Sequence, residues 1–205
     1  MAAFEERMRE GGAAAVAEAS RFFMKKDPVH DALRAIARRL REEEIPYAVA
    51  GGMALVAHGY LRTTEDVDVV VTAEGLAAVH ERLKGLGYRA AFKGSRHLRD
   101  TEGGVRIEFL VSGEFPGDGK KKPVAFPDPS KASVEIDRIR YVSLATLVEM
   151  KLASGMTNPG RLKDLADVQE MIRILGLKAA FARKLDPYVR ATFEKLRKDA
   201  AAGVR

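Results

Sequence analysis

Between Val49 and Val71 the chain reads VAGGMALVAHGYLRTTEDVDVVV, and no other stretch narrows the possible folds as much. A short apolar run at Tyr47–Ala50 and a β-branched run at Val67–Val71 predict two strands. Gly51-Gly52 separates the first from a short helix predicted over Met53–His58, which Gly59 closes. Asp66 and Asp68 stand two apart where the second strand starts. The two-residue period of a strand turns both carboxylates to one face, while Val67 and Val69 point into apolar packing on the other. Carboxylates held side by side repel, and a divalent cation relieves that repulsion. Hard oxygen ligands of this kind suit Mg²⁺ or Mn²⁺ together with substrate phosphates.

A third acid fits the same scheme. In Arg106-Ile107-Glu108-Phe109-Leu110 the apolar Ile107 and Phe109 alternate with Glu108. A strand here, paired beside the Asp66/Asp68 strand, brings Glu108 to the same edge and completes an all-oxygen site of the kind phosphoryl-transfer enzymes use. Gly51-Gly52 allows close approach of backbone, and free N–H groups at the start of the helix favour phosphate. Arg62, four residues before Asp66, is either an ion-pair partner of the acids or a phosphate ligand.

Around this centre the pattern alternates. Residues 3–24 predict a helix, and Asp27-Pro28 opens a second that runs to about Glu43 and is broken by Pro46. A helix over 73–84, strands over Tyr88–Phe92, His97–Asp100 and Val105–Val111, a loop over 113–131 read as mobile, and one strand over Val134–Val142 follow. From Leu144 onward the chain reads as helical, over 144–154, 160–174, 178–185 and 187–200. The expected organisation is N-terminal helices over 1–44, a mixed core over 45–142 and a helical module over 143–205.

At this point the sequence resembles the nucleotidyltransferases of the DNA polymerase beta superfamily, in their minimal bacterial and archaeal branch, which includes abortive-infection type toxins. The resemblance rests on Gly51-Gly52-Met53-Ala54-Leu55, then Gly59, Arg62, Thr64, Asp66 and Asp68. It also rests on the Lys-bearing helix at Leu144–Leu152 and on Arg161-Leu162-Lys163-Asp164-Leu165-Ala166-Asp167. It implies an α/β (α+β) fold, a nucleotidyltransferase-like mixed sheet flanked by helices with a C-terminal helical module. It further implies that Asp66, Asp68 and Glu108 hold Mg²⁺ or Mn²⁺, and that Gly51 and Gly52 sit under the triphosphate of ATP or another NTP. Glu108 would activate an acceptor hydroxyl, Lys151 would reach a phosphate, and Asp164 would order that lysine or touch the nucleotide. The chain departs from the pattern at Gly52, where many members carry Ser, and at Glu108, where Asp is commoner.

Net charge is +6, and residues 138–205 carry 14 Lys/Arg against 7 Asp/Glu. Such a basic part suits phosphate-bearing ligands or is a solvated helix surface. The acceptor is left open among RNA, protein and small molecule, and a toxin of the implied branch would bring an antitoxin partner. A scaffold that binds nucleotide or protein without turnover is the alternative, favoured by the missing Ser at Gly52. The absence of cysteine excludes disulfides and thiolate metal sites. With no apolar run of membrane length and no apolar leader, the expectation is a cytoplasmic protein with no membrane partner.

Overall fold

The structure, a computed structural model, describes Arg21 and residues 26–83, 85–92 and 94–202. The helix predicted over 3–24 lies outside these residues apart from Arg21. Helix α1 (Pro28–Glu42) starts as its sequence dictates, with the Asp27 carboxylate accepting from the N–H groups of Val29 and His30 and Pro28 in the first turn. Its stripe of Val29, Leu33, Ile36, Ala37 and Leu40 is buried. It ends before Pro46, at Glu43, and Glu44 turns the chain with φ of 55°.

Strand β1 (Tyr47–Val49) leads directly into α2 (Gly51–Ala57), which therefore takes in both glycines and starts earlier than its apolar residues imply. β2 (Asp66–Val71) returns antiparallel to β1, and α3 (Ala73–Arg82) follows, capped by Thr72 on the N–H of Gly75. Then come β3 (Tyr88–Ala90), β4 (His97–Asp100) and β5 (Arg106–Val111). The segment expected as one strand to Val142 is a hairpin, β6 (Ser133–Ile136) and β7 (Ile139–Val142). Asp137 and Arg138 make its turn at φ of 50° and 63°, the paired left-handed geometry of a two-residue hairpin. Neither residue is a glycine, so the turn carried no punctuation in the sequence.

Seven strands form one mixed sheet in the order β3-β4-β5-β2-β1-β7-β6. Its central pair, β2 and β5, is parallel, with Asp66 opposite Arg106 and Asp68 opposite Glu108. α1 packs on β2 and α3 on β5, and Val67, Val69, Ile107 and Phe109 are sealed from solvent. Fully burying side chains of this size is worth roughly 1.5–3 kcal/mol each, which fixes the register and so the face that the acids occupy.

The chain ends in helices α4 (Leu144–Thr157), α5 (Leu162–Leu175) and α6 (Pro187–Ala202). A 3₁₀ turn at Pro159–Arg161 precedes α5, and the helix expected over 178–185 is 3₁₀, Ala179–Lys184. α4 touches α2, α5 and α6, so side chains on α4 reach the carboxylate end of the sheet. The loop over 113–131 is pinned: the Lys122 Nζ donates to the Pro116 carbonyl at 2.6 Å and to Asp118, and Val124 is buried. No helix among the described residues is long and apolar enough to cross a membrane.

Candidate active site

The three acids meet. Ligand oxygens of Asp66, Asp68 and Glu108 all lie within 4.8 Å of one another, because Asp66 and Asp68 share one face of β2 and Glu108 stands opposite Asp68 on β5. Burial, then the negative charges of Asp66 and Glu108, push the Asp68 carboxyl up to about 7, with Lys151 and Arg161 opposing. Arg106 donates to Glu108 at 2.7 Å, and His97 stands 4.0 Å from the same oxygen. Thr64, buried in the turn before β2, donates to the Asp66 carboxylate at 3.0 Å.

Both glycines are sterically demanded. A Cβ at Gly51, whose φ is +56°, would fall 1.6 Å from Asp68 Oδ2. A Cβ at Gly52 would fall 2.5 Å from the Thr64 hydroxyl oxygen. A Ser at this second position therefore has no room here, because Thr64 holds the space.

These residues line one end of a cavity of about 350 Å³. The opposite wall comes from the C-terminal helices and includes Lys151, Ser154, Asn158, Arg161, Lys163 and Asp164, while Pro116, Gly117 and Phe126 of the pinned loop close a side. Lys151 Nζ is held between Asp164 at 2.9 Å and Asp167 at 2.7 Å. The Ser154 hydroxyl donates to Asp164 at 2.7 Å, and Arg161 donates to the same carboxylate at 2.9 Å. Burial alone would raise the Asp164 carboxyl, but the charge and hydrogen bond of Lys151, with Ser154 and Arg161, hold it below its ordinary value. Of the two readings of Arg62, the ion pair is realised with a different acid: its Nε lies 3.2 Å from Asp167, although Arg62 also lines the cavity.

All eight residues singled out from the sequence, Gly51, Gly52, Arg62, Asp66, Asp68, Glu108, Lys151 and Asp164, line this cavity. The sequence reading missed Thr64 as a partner of Asp66, and Arg161 and Lys163 as wall cations. Arg161 and Lys163 were visible only as members of a helical motif. His58 reaches the Val142 carbonyl at 2.8 Å, and His80 reaches the Ser95 carbonyl.

An acidic triad on the central strand pair of a mixed sheet, sharing a cavity with cationic side chains of the C-terminal helices, defines a candidate phosphoryl-transfer site. Residues 16–191 match the family described as uncharacterised nucleotidyltransferase. The chain belongs to this family of nucleotidyltransferases. No curated protein matches it. Among solved structures it is similar to JHP933 from Helicobacter pylori, at 14% identity over 93% of this chain and 92% of that one, with a TM-score of 0.47. It is also similar to the antibiotic-resistance factor ANT(2'')-Ia, at 15% identity over 80% of this chain and 85% of that one, with a TM-score of 0.48. The same factor in complex with adenylyl-2''-tobramycin gives 13% identity, 80% and 91% coverage and a TM-score of 0.47.

Proposed function

We propose that the protein transfers a nucleoside monophosphate from an NTP to an acceptor hydroxyl and releases pyrophosphate. The observation that carries this reading is the convergence of Asp66, Asp68 and Glu108 within 4.8 Å with Arg62, Arg161 and Lys163 in one cavity. Three carboxylates this close, one of them with its pKa driven up to about 7, are a donor set that fits a divalent cation and is costly without one. Mg²⁺ or Mn²⁺ held there supplies screening of the triphosphate and of charge developing at the α-phosphorus.

The chain's own groups do the rest. Arg161 and Lys163 bind the phosphates from the opposite wall, Arg62 adds a cation from the segment before β2, and the N–H groups at the start of α2 lie beside Gly51 and Gly52. Lys151, ordered by Asp164 and Asp167, adds a fixed positive charge behind them. The acceptor oxygen bonds to the α-phosphorus as the bond from that phosphorus to its bridging oxygen breaks. Glu108 takes the acceptor proton, and pyrophosphate leaves with the bonding electron pair. Arg106 holds the Glu108 carboxylate in place for this.

The test is incubation of the protein with each α-labelled NTP, Mg²⁺ or Mn²⁺ and a cell extract, comparing wild type with Glu108→Gln. Losing a general base costs on the order of 10²–10⁴ in rate, so labelled product should all but vanish while binding of a non-hydrolysable NTP persists. A wild type that binds no NTP in the presence of either metal would refute the assignment.

A further inference from the structure

The face that carries the acids does not end at β5. Register continues it across the edge of the sheet: Asp66 is opposite Arg106, Arg106 is opposite Arg99, and Arg99 is opposite Arg89. Directly opposed residues share a face, so three arginines form one row that starts at the acids and runs to the edge strand. With strands about 4.8 Å apart, the row reaches about 14 Å from Asp66. On the other face Tyr88, Leu98 and Ile107 are buried.

The row is costly as it stands, because like charges directly opposite destabilise a sheet. Arg106 is relieved by Glu108. Arg89 and Arg99 are exposed, and among the described residues neither has a carboxylate within ion-pair distance; Arg99 donates only to the Gly104 carbonyl, at 2.6 Å. They border a second cavity of about 520 Å³, shared with His97 and Arg106.

We propose that the Arg89–Arg99–Arg106 row is the docking track for the phosphate backbone of a single-stranded RNA whose terminal ribose hydroxyl is the acceptor. Guanidinium groups pair with phosphate oxygens in a two-pronged geometry. RNA is the nucleic acid that ordinarily presents single-stranded ends and loops for recognition. A polycationic acceptor would be repelled by the same row. This inference rests on the nucleotidyl-transfer reading for its acceptor role, but the track itself is tested by binding alone.

The experiment is fluorescence anisotropy with a labelled single-stranded 20-nucleotide RNA across a salt series, on wild type, Arg89→Glu with Arg99→Glu, and the milder Arg89→Gln with Arg99→Gln. Lys120→Glu with Lys121→Glu serves as a control for general charge. Wild type should bind with a salt-dependent affinity. Charge reversal should weaken binding on the order of tenfold or more, and neutralisation should flatten the salt slope by about 0.7 for each phosphate that is no longer paired. The Lys120/Lys121 control should bind as wild type. Binding of a non-hydrolysable NTP with Mn²⁺ should be unchanged in every variant, which separates the track from the nucleotide site. The track is overturned if the Gln pair binds RNA with wild-type affinity and slope. Tighter binding of the matching DNA strand or of polyglutamate would overturn the choice of RNA.

Discussion

The carboxylate of Asp68 fills the space that a side chain at Gly51 would need, with Oδ2 1.6 Å from where a Cβ would stand. The turn into α2 and the first residues of β2 are thus one structural unit. Gly51→Ala should cost about 1–2 kcal/mol from the left-handed backbone alone, and the clash must also displace Asp68 from the other two acids. Mn²⁺ binding followed by calorimetry should weaken sharply in Gly51→Ala, out of proportion to the loss in Tm. A variant with wild-type metal affinity would mean that Asp68 is not a ligand.

Metal-free stability should fall as pH rises. Asp68 titrates at about 7 in the folded chain and at about 3.9 when unfolded. Between those values the folded state holds a proton that the unfolded state has lost, so folding is favoured below about pH 4 and that advantage drains away up to about pH 7. In EDTA the Tm should be higher at pH 5 than at pH 8. Adding Mg²⁺ or Mn²⁺ should raise the Tm more at pH 8, because metal and proton compete for one carboxylate. An equal Tm at both pH values in EDTA, with no metal effect at pH 8, would contradict the assignment of Asp68 as a partly buried acid in a metal site.

Much of this site was legible in the sequence because its logic is local. Asp66, Asp68 and Glu108 each alternate with buried apolar residues, and a period of two admits only one face for each set. The pairing of β2 with β5 does not follow from that period, although the apolar alternation of both strands makes them natural neighbours. What the sequence hid depends on contacts between distant segments. Sequence spacing sets Arg62 against Asp66, four residues away, yet its partner is Asp167 on α5. The arginine row needs the registers of three strand pairs at once, and Arg89, Arg99 and Arg106 share no spacing that announces it. The 113–131 loop has the Gly, Pro and Lys content of a mobile segment, but Lys122 folds it onto its own Pro116 and Asp118, and Asn158 donates to its Gly117 carbonyl.

Lys151 should prove to be a keystone of the cationic wall. It is buried and neutralises Asp164 and Asp167, which are buried too. Removing one member of such a cluster strands the others, at a cost of about 3–5 kcal/mol. Lys151→Ala should lower the Tm by more than Lys163→Ala, which removes a cation from an exposed position on the same wall. Equal small losses in the two variants would show that water reaches Asp164 and Asp167 freely.

Gly52 leaves open a space that the Thr64 side chain occupies. The resemblance leads to the expectation of Ser at the second position of the turn, so Gly52→Ser would add a hydroxyl where a phosphate is expected. Here the new Cβ would stand 2.5 Å from the Thr64 hydroxyl oxygen and 2.6 Å from its Cβ. Thr64 cannot yield cheaply, because it is buried and donates to Asp66. Overpacking of this kind costs about 1–3 kcal/mol, so Gly52→Ser should lower stability and disturb Asp66 at once. Thr64→Ala would not relieve the contact, since its Cβ remains, whereas Thr64→Gly would. Urea unfolding of Gly52→Ser, Thr64→Gly and the double variant should therefore show a favourable coupling of about 0.5–3 kcal/mol, with Thr64→Ala giving far less. Additive losses across the Gly52→Ser and Thr64→Gly cycle would mean that the turn relaxes around a serine and that Thr64 does not determine the glycine at this position.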